Sequence, residues 1–322
     1  KRILVIQMEK TKEQIRMEKE REEEHKKQIE EWTQMKIGET LFDSNVDNWS
    51  VNTSVLNERI TGKKQLAFII ESMNFCFWPN RKWIVEYKGK KFSGSEALFY
   101  SLIKAINESK LVMNLDNLSN IKKSEFENII KSNDELPPLI EERYWLFKKT
   151  INVLKQKDKL FFKELFSLKS DEELLSYIVD NFSHFDDKSD FKGRTIHFNK
   201  RAILLVNDLF NLSKTIRNNI KNIDNLTGGA DYSIPKVFVA YGIFEYNHKL
   251  LNMIKAGFLI GHNSQMEVEI RGNTLYVIEL IKSILKEKNI YINSVQLDNI
   301  IWKMRFVRND DMLVHHTRSI YY

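Results

Sequence analysis

Ala202-Ile203-Leu204-Leu205-Val206-Asn207-Asp208-Leu209-Phe210 is apolar except at Asn207 and Asp208. With its neighbours it reads as a buried helix over 202–212, and a chain built round such a helix is mainly α. Composition agrees. Eleven glycines and four prolines in 322 residues are few breakers, which favours long helices over tight turns. A hydrophobic share of 42% supplies one sizeable core and excludes disorder over most of the length. Asp208 is costly inside the run unless paired. The nearby Lys200-Arg201 pair is one candidate partner, and a substrate is the other.

Outward from this helix the same pattern continues. Residues 65–72 form an apolar helical run. Trp83–Tyr87 reads as a strand, Lys88-Gly89 as a turn and Lys90–Phe92 as the return, making a small hairpin. Ser93 or Ser95 caps a helix to about 106. Pro137-Pro138 opens another helix from Leu139 to Lys155. Residues 160–182 read as helices, 186–193 as a polar loop and 194–198 as a short strand-like entry. Residues 222–229 read as a turn. Helices follow from Ile234, over 265–288 and over 294–306. Residues 39–62 look irregular. Residues 7–36 read as one highly charged helix, with Glu22/Lys26 and Glu23/Lys27 as i,i+4 pairs and too few apolar positions for a packed face. We therefore expect a helical extension over 1–37, able to dock on a protein partner but read first as solvated, and one domain over 38–322.

The single cysteine, Cys76, forbids an internal disulfide and suits a reducing intracellular compartment, cytoplasm or organelle matrix. Several thiolates are needed for a cysteine metal site, so that class is excluded too. The net charge of +6 permits an anionic partner, a nucleic acid or a phosphorylated metabolite. No run of ~18 apolar residues is present to span a membrane.

Chemistry can reside in five places. In Leu226-Thr227-Gly228-Gly229-Ala230-Asp231-Tyr232-Ser233-Ile234-Pro235, two glycines make a turn and Pro235 suits a first helical turn. Asp231 there is an N-cap on local grounds, or a carboxylate held at a cleft, where it would stabilise or attack an oxocarbenium-like ribose as a C–N bond breaks. Asp208 is the second candidate. Ser264-x-x-Glu267 is a capping box, which gives Glu267 a structural role, with Glu269 and Arg271 free to pair elsewhere. Asn74-Phe75-Cys76-Phe77-Trp78-Pro79 can stack on a base or fill core. His315-His316-Thr317-Arg318 can hold a phosphate, while the tyrosines after it tie down the tail.

Taken in order, Asn-Phe-Cys-Phe-Trp-Pro (74–79), Val-Glu-Tyr-Lys-Gly-Lys (85–90), Pro-Leu-Ile-Glu-Glu-Arg (138–143), Phe-Asn-Lys-Arg-Ala-Ile-Leu-Leu-Val (198–206), Ala-Asp-Tyr-Ser-Ile-Pro (230–235), Glu-Val-Glu-Ile-Arg (267–271) and His-Thr-Arg-Ser-Ile-Tyr-Tyr (316–322) resemble blocks of the queuosine salvage protein family. The resemblance covers roughly residues 40–322. It implies a fold similar to helix-hairpin-helix DNA glycosylases. It implies hydrolysis of queuosine 5′-phosphate to queuine and ribose 5-phosphate, with neither metal nor organic cofactor. It places the catalytic carboxylate on Asp231, with Asp298, Tyr232, Asp208, Lys200, Arg201, Phe75, Trp78, His315 and Arg318 around the substrate.

The sequence also departs from the family's pattern. Gly229 stands where a phenylalanine usually precedes the catalytic Asp by two. Leu297-Asp298-Asn299-Ile300-Ile301-Trp302-Lys303 keeps the first Asp of a Leu-Asp-Tyr-Tyr-Leu-Trp-Asp motif, but has Asn299 for Tyr and Lys303 for the second Asp, which reverses a charge. No histidine lies in 40–73. The competing readings are a working nucleosidase and a homologue with a decayed pocket kept as a subunit of an assembly. A DNA glycosylase ranks last, because no basic-aromatic stripe marks a groove and nucleic acid is not the expected partner.

Overall fold

The computed structural model describes residues 62–78, 83–305 and 313–322, together with Thr33 and helical residues between Arg16 and Glu30. The helix α1 (Lys63–Met73) is buried on every side from Leu66 onward. A hairpin follows, β1 (Ile84–Tyr87) paired antiparallel with β2 (Lys90–Ser93). Lys88 and Gly89 both take positive φ, 51° and 75°, as a tight two-residue turn requires. The extended Ser93 then begins α2 (Gly94–Asn107). Two short helices, α3 (Leu115–Asn120) and α4 (Lys123–Ile130), lead to the long α5 (Ile140–Leu165).

Beyond α5 lie α6 (Asp171–Asn181), a 3-10 turn at Ser183–Phe185, and a second antiparallel hairpin, β3 (Lys188–Phe191) with β4 (Arg194–His197). The polar character of 186–193 suggests a loop, yet 188–191 is a strand. Its inward residue is Ser189, so polarity does not alternate with burial, and Lys192-Gly193 repeats the positive-φ turn at 51° and 75°. The remaining helices are α7 (Lys200–Leu212), α8 (Lys214–Asn219), α9 (Ser233–Ala240), α10 (His248–Lys255), α11 (Gln265–Glu287) and α12 (Ser294–Met304). The expected mainly helical fold with a small hairpin is thus present, with one hairpin more.

The core explains why α1 and α7 have so few polar positions. Leu66, Ile69, Ile70 and Met73 of α1 pack with the first hairpin, α2 and α4. Ala67 and Phe68, on its other side, pack with α5, α6 and α7, where Phe68 lies 5.0 Å from Phe182 and 5.5 Å from Phe161. A helix sandwiched this way has no solvent face to give to polar residues. A third cluster joins α9, α11 and α12, and α12 touches α7. Ile29 is only 2% exposed and packs into that third cluster, so the charged run reaches the domain at this residue. Of the helix expected over 7–36, the residues described between Arg16 and Glu30 are helical; its other residues apart from Thr33, the irregular 39–61 and the end of the last helix at 306 lie outside the described residues.

Candidate functional site

A pocket of about 450 Å³ opens where the first hairpin meets α7, α9 and α12. Its floor is acidic. Asp231 sits just ahead of α9, and its two oxygens do different work. Oδ1 accepts the Ser233 N–H at 2.7 Å, a two-residue turn contact; the N-cap itself is Tyr232, so Asp231 stands one position ahead of the capping place that local sequence favours for it. Oδ2 lies 3.0 Å from Lys200 Nζ, and both residues line the pocket. Burial works to raise this carboxyl, but the Lys200 ammonium and the hydrogen bonds from Ser233 overcome it, and Asp231 ends below the usual carboxylate range.

Asp298, two turns before the end of α12's line toward Arg305, behaves oppositely. Burial and the Asp231 charge push it well above that range, against the weaker pull of Lys200 and the Gly229 N–H. Its Oδ1 is buried and makes no hydrogen bond among the described residues. One pocket therefore holds two carboxyls that their surroundings drive in opposite directions.

The glycine pair makes this approach possible. A Cβ at Gly229 would lie 3.0 Å from Lys200 Cγ and 3.6 Å from Asp298 Oδ2. A side chain at Gly229 would thus meet the Lys200 stem and Asp298. A Cβ at Gly228 would lie 2.7 Å from Ile278 Cδ1.

Behind the loop, buried Arg271 donates from Nε to the Ala230 carbonyl at 3.2 Å and grips Asp187 at 2.5 and 2.9 Å. Its guanidinium is clamped between the Phe198 and Tyr322 rings, 4.0 and 4.2 Å away. Glu267 pairs with Arg271 at 3.6 Å; of the expected capping box only the Ser264 half forms, its Oγ accepting the Glu267 N–H, while the Glu267 carboxylate accepts the Asn263 N–H at 3.2 Å instead of that of Ser264. The backbone before Asp231 is therefore held by α11.

Cations and aromatic rings complete the lining. Lys91 of β2, Lys236 of α9 and Arg305 after α12 face the same space as Lys200. Burial pushes Arg305 down to about 10, with Asp231, Tyr232 and Glu96 opposing, and its guanidinium lies 3.2 Å above the Trp302 ring. Phe77 and Trp83 stack at 6.4 Å, and both line the pocket, as do Tyr232 and Asn299.

Of the residues expected at the site, the structure brings together Asp231, Asp298, Tyr232 and Lys200. The others lie outside the lining. Asp208 is buried on α7 two turns beyond Lys200, and it is Asp231 that Lys200 pairs with. Arg201 donates to the Glu71, Ser72 and His184 carbonyls. Phe75 is buried under the guanidinium groups of Arg143 and Arg201. Trp78 stacks on His316 at 4.5 Å, and Pro79 lies outside the described residues. His315 is buried and pushed down to about 4 by that burial, so it is neutral. Arg318 is exposed. Lys303, the charge reversal, is not a lining residue either. Phe77 belongs to the aromatic stretch that the sequence offers for stacking on a base, though Phe75 and Trp78 are the residues singled out from it; Lys91, Lys236, Trp302 and Arg305 are missed as lining residues. Asp298, Trp302 and Arg305 follow i, i+4, i+7 spacing, a helical-face signal that points to the last two once Asp298 is suspected.

Among the described residues no cluster of three or more His, Cys, Asp or Glu could hold a metal ion, and no helix is long and apolar enough to cross a membrane. Fold and site together define a helical protein with a small-molecule pocket built on a carboxylate pair and rimmed by cations. The chain belongs to the queuosine salvage protein family, whose profile matches residues 56–322. It is 32% identical to a Bos taurus protein named queuosine 5′-phosphate N-glycosylase/hydrolase over 287 residues, 83% of this chain and 84% of that one. Proteins of the same name from Nematostella vectensis and Sphaerobacter thermophilus are 31% and 27% identical, over 79% and 81% of this chain and 80% and 83% of theirs.

Proposed function

We propose that this protein hydrolyses the N-glycosidic bond of queuosine 5′-phosphate, releasing queuine and ribose 5-phosphate, with Asp231 as the catalytic carboxylate. The observation that carries this reading is the divergence of two carboxyls in one pocket, Asp231 held down and Asp298 held up. Such a divergence assigns an anion and an acid. The relatives' printed names supply the substrate.

As the bond from C1′ to the base nitrogen breaks, its electron pair leaves with the base and positive charge builds on the ribose. Ionised Asp231 stabilises that charge or attacks it. Neutral Asp298 gives its proton to the departing base. Water supplies the new oxygen at C1′, and its released proton restores Asp298. Lys91, Lys236 and Arg305 offer the 5′-phosphate its cationic partners, and the stacked Phe77 and Trp83 offer a flat base an aromatic wall.

The test is base release from queuosine 5′-phosphate, followed by chromatography, with the native chain and Asp231→Asn side by side. Release by the native chain and a loss of at least about 10²-fold in the folded variant are expected. A folded native chain that releases no base overturns the reading and favours the subunit of an assembly. Equal rates remove Asp231 from the mechanism.

A further inference from the structure

Glu71 is buried where a carboxylate is least welcome. It lies in the last turn of α1, at the negative end of the helix dipole, and is 3% exposed. Its carboxylate forms no ion pair among the described residues. Arg201, the cation nearest in sequence to Lys200, is committed to backbone carbonyls, including Glu71's own. Among the described residues the one group bonded to the carboxylate is Asn74, whose Nδ2 donates to Oε2 at 3.0 Å.

Asn74 connects this carboxylate to the pocket it lines. Its carbonyl accepts from Lys200 Nζ at 3.4 Å, and the same Nζ lies 3.0 Å from Asp231 Oδ2. Three contacts thus lead from the end of α1 to the floor of the pocket.

We propose that Glu71 is a positioning residue, whose negative charge fixes Asn74 and, through the Asn74 carbonyl, holds the Lys200 ammonium on Asp231. The inference rests on the nucleosidase reading for its kinetic consequence but not for its geometry. A charged acceptor holds an amide more firmly than a neutral one. Burial, opposed by Asn74, Lys200 and Arg201, raises Glu71 to about 7, so this charge changes near neutrality. The charged groups facing it are Lys200 and Arg201 from α7, with Arg143 from α5 bound at Met73; His184, pushed down to about 2, stays neutral.

The experiment compares Glu71→Gln, which keeps the size and an acceptor oxygen but loses the charge, with the native chain by two readouts. The first is the coupling between Lys200 and Asp231, from a double-mutant cycle on the denaturation midpoint using Lys200→Met and Asp231→Asn in both backgrounds. The coupling is expected to weaken in Glu71→Gln; an unchanged coupling overturns the proposal whatever the activity. The second is the pH profile of kcat. The native chain should lose kcat as pH falls through neutrality, and Glu71→Gln should be flat there at a kcat roughly tenfold lower with KM unchanged. A native profile without that inflection overturns the proposal even if the variant does not fold. Weakened coupling with no base release upholds Glu71 and rejects the nucleosidase reading.

Discussion

Lys200 and Asp231, thirty-one positions apart in sequence, meet with Nζ 3.0 Å from Oδ2, and both side chains are nine-tenths or more shielded from solvent. The contact ties the first turn of α7 to the entrance of α9. It also decides the ionisation of the carboxylate that we assign to catalysis.

Replacing Lys200 with methionine leaves Asp231 buried without its ammonium. The carboxyl should then rise, because burial would be opposed by the Ser233 hydrogen bonds alone. In the native chain the depressed carboxyl contributes stability above its unfolded range, lost as pH falls through its folded value. In Lys200→Met that acid-side loss should shrink, and reverse to a gain on acidification once the folded carboxyl lies above the unfolded one, while the pH at which kcat/KM collapses should move up. Denaturation midpoints from pH 3 to 8 and a kcat/KM profile check this. A profile identical to the native one would remove Lys200 from the control of Asp231.

Asp298 carries the opposite sign. Its folded carboxyl lies above the unfolded one, so its stabilising contribution is complete below the unfolded range and is lost as pH rises through the folded value. Asp298→Asn removes that loss. The variant should melt at a higher temperature than the native chain at neutral pH, while base release falls by about 10²–10⁴-fold because the proton donor is gone. Thermal melts together with single-turnover base release test both halves. A variant that is stabilised yet fully active would leave Asp298 as a binding residue without a proton role.

How much of this was legible beforehand depends on the range of the interaction. The buried character of α7 follows from nine residues, and the place of Asp231 just ahead of a helix follows from the glycines and Pro235 beside it, although the cap itself is Tyr232. The ordered blocks point to the family without any geometry. What the sequence hides is pairing over distance. Lys200 looks like a partner for Asp208 on the same helix, and only the packing of α9 against α12, with α12 against α7, delivers it to Asp231. Arg201 and Phe75 look functional because a charge or ring in a motif suggests contact with a ligand. They are buried because the end of α1 needs donors for its last carbonyls and something apolar beneath them.

Arg305 and Lys236 provide a test of how the phosphate is held. A hydrogen bond to a charged group contributes about 1.5–3 kcal/mol, so Arg305→Gln or Lys236→Gln should raise KM for queuosine 5′-phosphate by roughly 10- to 100-fold. The unphosphorylated nucleoside should be affected far less. Steady-state kinetics on the two substrates separates the cases. Equal losses on both would mean that these side chains serve the base or the fold rather than the phosphate.

The glycine pair separates stability from function within two adjacent positions. A methyl group at Gly228 would meet Ile278 Cδ1 at 2.7 Å inside a core where Ile278 is fully buried. Gly228→Ala should therefore cost about 1–3 kcal/mol through overpacking. At Gly229 the nearest atom is Lys200 Cγ at 3.0 Å, part of a longer side chain that can shift by a few tenths of an ångström. Gly229→Ala should cost less stability, but the shift displaces the ammonium that holds Asp231. It should therefore lower kcat and raise the acid limb in the same direction as Lys200→Met. Urea denaturation and a kcat profile on the two variants decide the matter. If Gly229→Ala is as unstable as Gly228→Ala and keeps native kcat, the close approach at Gly229 serves packing alone.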